Sequence, residues 1–323
     1  MKQSLIKKKH LGDFAKKNAL LWMLICMVAV FSMSAQNFFT SANGISILRQ
    51  VAVLGIMSCG MSFVLIGGNF DLTAGSIVSL SCVIMVRVFN LTNSEFIAIF
   101  VALFVGMACG TLTGLIVSYS KLNSMIAGLG LQSAYFGFAL ICSEGKFYYI
   151  DDTKTWLDVL GRSSILHIPV QVWIYAVMVV IFQYILVKTK FGKYVFIAGS
   201  NKKAAVFSGI DERAVIAKTY ILSGFCAAFA GVITAARSMA AQANVGDGYE
   251  FEVITACILS GTSIMGGEGS VLKAMLGIII MGVLKNGFVM LSLPYYVQWL
   301  AQCVIIITIV GIDIKSRKKV NAA

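Results

Sequence analysis

Charged residues are scarce in this chain of 323 residues: only 12% are Asp, Glu, Lys or Arg, whereas 59% are hydrophobic. A soluble domain carries about twice that share of charge, because its surface must stay polar. Disordered chains, in turn, are poor in hydrophobic residues. The composition therefore excludes a compact water-soluble enzyme and a disordered chain, and it indicates a polytopic membrane protein.

Proline and histidine are also rare, and the motifs of common catalytic sites are missing. Neither Gly145-Lys146 nor Gly192-Lys193 is followed by Ser or Thr, so the chain has no ATP-binding P-loop. The two histidines, His10 and His167, do not sit with Cys or carboxylates at metal-ligand spacing. The eight cysteines form no Cys-x-x-Cys pair, and most lie in apolar runs, as reduced cysteines acting as small hydrophobes do. We expect no catalytic activity, no metal and no cofactor.

Long apolar stretches are abundant, and those near the ~20 residues needed to cross a bilayer predict ten membrane helices. They lie at 19–36, 44–66, 74–90, 96–118, 124–143, 169–187, 214–236, 251–265, 271–291 and 295–312. The third and eighth are short and border glycine-rich turns. The first follows a lysine-rich segment without a convincing cleavage site, so we interpret it as an uncleaved anchor.

The positive charge is concentrated on one side of this predicted topology. Of the 26 Lys and Arg residues, 18 fall in segments that face inward if the N-terminus is inside, and four fall in segments that face outward. The positive-inside rule then places both termini in the cytosol. The net charge of +12 is explained by this topology, so no nucleic-acid partner is needed.

The predicted organisation is a basic cytosolic segment at 1–18, a single transmembrane domain at 19–312 and a cytosolic tail at 313–323. The largest outer loop, 144–168, is either a cap or a landing surface for an extracytoplasmic protein. The longest cytosolic stretch is 188–213, which we interpret as an interfacial segment on anionic lipid or a docking element for a cytosolic partner.

A short helix is predicted inside the cytosolic stretch 188–213. Asn201 is a good N-cap and Gly209 a good C-terminal stop. An apolar side would be offered by Ala204, Ala205 and Phe207. The helix and the Gly199 that precedes it form the candidate docking element.

Two glycine-rich turns are predicted to pack closely without tolerating side-chain bulk. Their glycines are Gly67, Gly68, Gly75, Gly261, Gly266 and Gly267. Asp71 lies in the first turn, where a carboxylate can cap the helix that follows.

Four polar residues within the spans are candidates for lining a path or for holding the bundle together. Arg49 and Gln50 lie near the beginning of the second span, where an arginine can extend to the interface. Lys285 and Asn286 lie deeper and face the bundle interior or a wet path.

Several stretches resemble one family when taken in order. They are Asn43 to Gln50, Gly67 to Ser76, Gly192 to Gly209, Gly248-Tyr249-Glu250, Ser260 to Gly267 and Leu284 to Gly287. Each motif is weak alone, but together they resemble the membrane permease subunit of bacterial ribose/galactoside/xylose-type ABC sugar importers, from about residue 43 to Asp313. One departure is Asn69-Phe70, where the family usually has a single residue between Gly-Gly and Asp.

The resemblance implies an all-α importer fold, similar to the ten-helix vitamin B12 permease, in the bacterial inner membrane. It implies a second permease copy, identical or related, a separate ATPase subunit and an extracytoplasmic binding protein that delivers a sugar-like solute. It also implies that the helix at 199–209 is the coupling helix that contacts the ATPase.

Two other functions remain open on the residues alone. A self-sufficient secondary transporter or channel would usually keep acids in the middle of its spans, whereas Glu95, Glu250, Glu252 and Asp313 are expected near span ends. An intramembrane enzyme or an assembly scaffold is disfavoured by the lack of a paired nucleophile and base.

Overall fold

The computed structural model describes residues 19–120, 122–150, 156–294, 296–305, 307, 308 and 311. Helices dominate these residues, as the sequence predicts. They are α1 Ala19–Ser34, α2 Ser41–Ile66, α3 Ala74–Thr92, α4 Glu95–Tyr119, α5 Ser124–Ser143, α6 Trp156–Arg162, α7 Val170–Lys188, α8 Lys190–Ser200, α9 Lys202–Phe207, α10 Glu212–Ser238, α11 Tyr249–Leu259 and α12 Val271–Met290. Residues 296–305 are also helical.

Among the described residues, seven helices are long and apolar enough to cross a membrane: α2, α3, α4, α5, α7, α10 and α12. Their bounds fall within a few residues of the predicted spans, because each is a continuous apolar run. The first predicted span forms the shorter helix α1. The last one lies partly outside the described residues.

The eighth predicted span, 251–265, differs from the structure. Helix α11 has only 11 residues and ends at Leu259, and the chain is not helical from Ser260 to Ser270. Gly261 follows the end of the helix and has a φ of +93°. A right-handed helix cannot continue through a residue with a positive φ. An 11-residue helix is ~16 Å long, about half the thickness of a bilayer core.

Helices α2, α3 and α10 form the centre of the bundle, where most of their residues are buried. Helices α4, α5 and α7 surround them and expose long apolar side chains such as Phe100, Ile141 and Val180. An outer surface of this kind suits contact with lipid tails.

Short strands lie at one end of the bundle, here called the strand end. Strand β1, Tyr148–Tyr149, pairs antiparallel with β4, Ala240–Ala241. Strand β2, Ser164–Ile165, pairs with β3, Ile168–Pro169. Helix α9 lies at the opposite end, here called the α9 end.

Candidate functional site

The segment between β4 and α11 turns back into the bundle from the strand end. Its residues 242–248 are not helical, and the Gly246 backbone N–H donates to Ser79 Oγ at 2.9 Å. A Cβ on Gly246 would lie 2.2 Å from the carbonyl oxygen of Gly75, so this backbone passes directly against α3. The span is therefore discontinuous, with an irregular half followed by the half-helix α11.

Two carboxylates stand in the first turn of α11, where the positive end of the helix dipole favours them. Glu250 is 1% exposed, and its Oε1 accepts a hydrogen bond from Gln132 Nε2 at 2.8 Å. Its Oε2 is buried and has no hydrogen-bond partner. Glu252 forms an ion pair with Lys285 at 2.5 Å, and the Lys285 ammonium lies 5.4 Å from the ring centroid of Tyr249.

The expectation that the carboxylates lie near span ends was wrong for Glu250. Gln132, the partner of Glu250, is the ninth residue of α5 and so lies ~12 Å along that 20-residue helix. Glu250 consequently lies near the middle of the bundle. The error arose because the apolar run 251–265 was taken as one span, which would put Glu250 at its edge.

Asp71 is completely buried in the turn between α2 and α3. Its Oδ1 accepts from the Thr73 backbone N–H at 3.0 Å and from Thr73 Oγ1 at 2.6 Å. Its Oδ2 accepts from Ser223 Oγ of α10 at 2.6 Å. Three donors satisfy this carboxylate, which fixes the start of α3 against α10.

The half-helix α11 is bordered by cavities on different sides. One, of about 470 Å³, is lined by Arg49, Gln50, Arg237 and Tyr249 among others. Another, of about 390 Å³, lies between α3, α5 and the start of α11, and Glu250 lines it. A third, of about 290 Å³, lies beside Glu252 and the helical residues 296–305.

The four candidate polar residues thus divide into two groups. Arg49 and Gln50 line a cavity, and Lys285 lines a small one beside Glu252. Asn286 instead exchanges side-chain hydrogen bonds with Asn43 at 3.0 and 2.9 Å, which ties α12 to α2. An amide pair of this kind holds helices together, and its hydrogen-bonding groups are no longer free to bind a solute.

The two glycine-rich turns meet each other and the end of α8. The Gly267 backbone N–H donates to the Ile66 carbonyl at 2.8 Å. Gly266 has a φ of +83°, and a Cβ there would lie 2.7 Å from the Cα of Gly68. A Cβ on Gly199 would lie 1.8 Å from the Ile66 oxygen. Three backbone segments therefore touch beneath α9 with no room for side chains.

The other predicted turn glycines differ in their surroundings. Gly67 ends α2 through backbone hydrogen bonds, whereas Gly75 belongs to the first turn of α3, where it faces Glu250. Gly261 has open space around it, so glycine is favoured there by the positive φ and not by close packing.

Helix α9 begins and ends as the sequence predicts. Asn201 Oδ1 accepts from the Ala204 backbone N–H at 3.1 Å, and Gly209 has a φ of +73°. The predicted apolar side was wrong for Ala205, which is completely buried against the body of the protein. The exposed apolar side chains are those of Ala204, Val206 and Phe207, the last of them 91% exposed, and Ala205 alone among the residues of α9 is buried.

Helix α8, inside the stretch 188–213, was missed. Thr189 caps it by accepting from the Gly192 backbone N–H at 3.3 Å. Gly192, Lys190 and Lys193 resemble loop residues by composition, which hid the helix. The Thr189 cap and the buried spacing of Val195 and Ala198 were the available signals.

The family described as the permease component of branched-chain amino acid transport systems matches residues 43–312. The ribose import permease protein of Haemophilus influenzae is 32% identical over 306 residues, covering 94% of this chain and 95% of its own. The ribose import permease protein of Escherichia coli is 32% identical over 299 residues, covering 91% and 92%.

The L-arabinose transport system permease protein of Escherichia coli is 31% identical over 294 residues, covering 90% of this chain and 89% of its own. No solved structure matches the chain.

Proposed function

Since the chain belongs to the family of permease subunits of ABC sugar importers, we propose that it forms the membrane path for a monosaccharide of the ribose or arabinose type. The identity extends over nearly the whole length of both chains, so it covers the spans and the connecting segments alike. A subunit of this family works with an ATPase and a substrate-binding protein. The self-sufficient secondary transporter is therefore disfavoured, although the bundle does hold buried acids.

We propose ten spans with both termini in the cytosol, in an arrangement similar to the vitamin B12 permease. The discontinuous segment 240–259 would count as the eighth span and residues 295–312 as the tenth. The basic stretch 188–213 supports the orientation, because it lies at one end of the bundle with the lysines of α8 and α9 exposed. A single transmembrane domain, 19–312, would pair with a second copy or a related permease.

The α9 end would then face the cytosol, where the ATPase sits. The observation that carries the coupling role is Phe207, a large apolar side chain 91% exposed on a capped helix. Val206 beside it is also exposed, so α9 presents an apolar surface that a partner protein can cover. Next to α9, the glycine turns are in direct backbone contact with the ends of α2 and α8. A movement of α9 would therefore be transmitted to these two helices.

The test is to replace Phe207 in the complex reconstituted with its ATPase and binding protein. Phe207→Asp should reduce binding-protein-stimulated ATP hydrolysis and sugar uptake about 10-fold or more, because an unpaired charge would enter the apolar contact. Phe207→Leu, which keeps an apolar side chain, should retain most of both. Normal uptake by Phe207→Asp would exclude α9 as the coupling element.

A further inference from the structure

We infer that the cavity between α3, α5 and the start of α11 binds the transported sugar during its passage, with the free oxygen of Glu250 accepting a sugar hydroxyl. The inference rests on the proposed function, since it names where a sugar moving through this chain would pause. It concerns residues in the middle of the bundle, away from both ends.

Glu250 supplies the feature that points to a ligand. Its side chain is buried, and Oε1 accepts a hydrogen bond from Gln132, while Oε2 has no hydrogen-bond partner. A buried carboxylate oxygen without a partner is costly, because desolvation is not repaid by a hydrogen bond. Gly75 makes room for this oxygen against α3, since a Cβ there would lie only 2.0 Å from it. A ligand hydroxyl would provide the missing donor.

The rest of the lining matches a neutral polyhydroxyl molecule. Ser76, Ser79 and Gln132 contribute hydroxyl and amide groups, and Phe136 contributes an aromatic face. Sugars bring several hydroxyl groups that both donate and accept, together with apolar C–H faces. The volume of about 390 Å³ lies at the small end of the range for small-molecule sites, roughly 300–1,000 Å³.

A metal ion suits the cavity less well. In the part of the chain that the structure describes, no group of three His, Cys, Asp or Glu side chains could hold one. Asp247 lines the same cavity, but it is exposed and accompanied by neutral groups. Serine and glutamine side chains fit a solute that is recognised by many weak hydrogen bonds and then released.

The open side of the cavity indicates where the path runs. Ser133 and Phe136 are exposed at its rim on α5. A cavity that contains carboxylate, amide and hydroxyl groups does not open onto lipid at this depth, because no lipid tail can satisfy those groups. This side of α5 therefore faces a wet path between the permease and its partner subunit.

The first test measures uptake of D-ribose and L-arabinose by the reconstituted complex. Glu250→Gln keeps the shape but removes the charged acceptor, so transport at low sugar concentration should fall about 10-fold to 100-fold, the worth of a hydrogen bond to a charged group. Glu144→Gln, a matched change at an exposed carboxylate, should have little effect. Equal transport by Glu250→Gln and wild type would overturn the site and leave the importer function standing.

The second test leaves Glu250 intact. Ser133→Cys at the rim and Ala134→Cys beside it on α5 are made in a background without the accessible native cysteines and treated with a thiol reagent during turnover. D-ribose or L-arabinose should slow labelling at position 133 several-fold and leave position 134 unchanged. Equal labelling with and without sugar, or protection by sodium ions instead, would exclude the sugar site. Failure of wild type to transport either sugar would overturn the proposed function itself.

Discussion

In the short helix α9, the position of a residue decides whether its side chain is buried or exposed, as Ala205 and Phe207 show. They are two positions apart in α9, so they point to nearly opposite sides, one buried and the other 91% exposed. Both residues are apolar, and the neighbouring sequence does not indicate which side of the helix packs against the rest of the protein. Only the docking of α9 against the body settles the direction.

Ala205→Asp should therefore damage folding, and its effect on coupling would be secondary. A charge placed where Ala205 is completely buried has no partner and should lower stability by several kcal/mol. The yield of monodisperse permease in detergent measures this. Ala204→Asp, at the neighbouring exposed position, is the control and should give a normal yield. Equal yields for the two variants would contradict the burial of Ala205.

Glu250 illustrates the residue that sequence reasoning could not place. Its neighbours Val253 and Ile254 continue an apolar run, so hydropathy puts Glu250 at the edge of a span. The signal that could have corrected this is the polar, glycine-containing stretch 242–248 before it, since backbone without helix at membrane depth must line a cavity or pack on protein. Its contact with Gln132 depends on tertiary packing and has no local signature.

At the scale of elements, helices α4 and α10 approach through small residues. Gly106, Gly110 and Gly114 recur every four residues on one side of α4. A Cβ on Gly110 would lie 2.5 Å from the carbonyl oxygen of Tyr220 and 3.0 Å from the Cα of Gly224. Close approach of this kind is how helices pack where lipid removes the hydrophobic driving force.

Gly110→Leu should separate α4 from α10 and lower the thermal stability of the purified protein, by about 1–3 kcal/mol or more, because the side chain has no space. The melting temperature in detergent is the measurement. Gly130→Leu on α5 is the matched control: no atom lies within 4 Å of a Cβ there, so it should leave the melting temperature nearly unchanged. Similar melting temperatures for both variants would show that the two helices do not meet through Gly110.

The long helices could be predicted because hydropathy alone defines a membrane span. The predicted bounds 74–90 and 124–143 correspond to Ala74–Thr92 and Ser124–Ser143. The end of helix α11 at Leu259 was missed, although the polar run Ser260-Gly261-Thr262-Ser263 marks it in the sequence. The prediction of one span over 251–265 passed over this signal, because the residues on both sides of it are apolar.

At the scale of the whole molecule, the distribution of charge predicts which end faces the cytosol. Ser200 lies at the α9 end and Ser164 at the strand end, and both are exposed. If the positive-inside rule orients the chain, Ser164→Cys should react with an impermeant thiol reagent in intact cells, and Ser200→Cys only after permeabilisation. The background should lack the accessible native cysteines, so that each signal has one source.

The reverse pattern of labelling would invert the topology and move α9 away from any ATPase. Asp152, in the predicted outer loop, lies outside the described residues, so Ser164 is the better reporter of that side. Labelling of both positions in intact cells would mean that the α9 end is not closed off by the membrane.

The short helix α11 also has a consequence for how the chain is made. At 11 residues it offers about half of a membrane span, and its preceding segment 242–248 needs Ser79 of α3 for a backbone partner. Lys285 of α12, synthesised after it, neutralises Glu252. We therefore expect residues 242–259 to be unstable in lipid during synthesis and to reach their folded position only after α12 has been made. Biogenesis of the permease should stall at this point when α12 is absent or when Lys285 is lost.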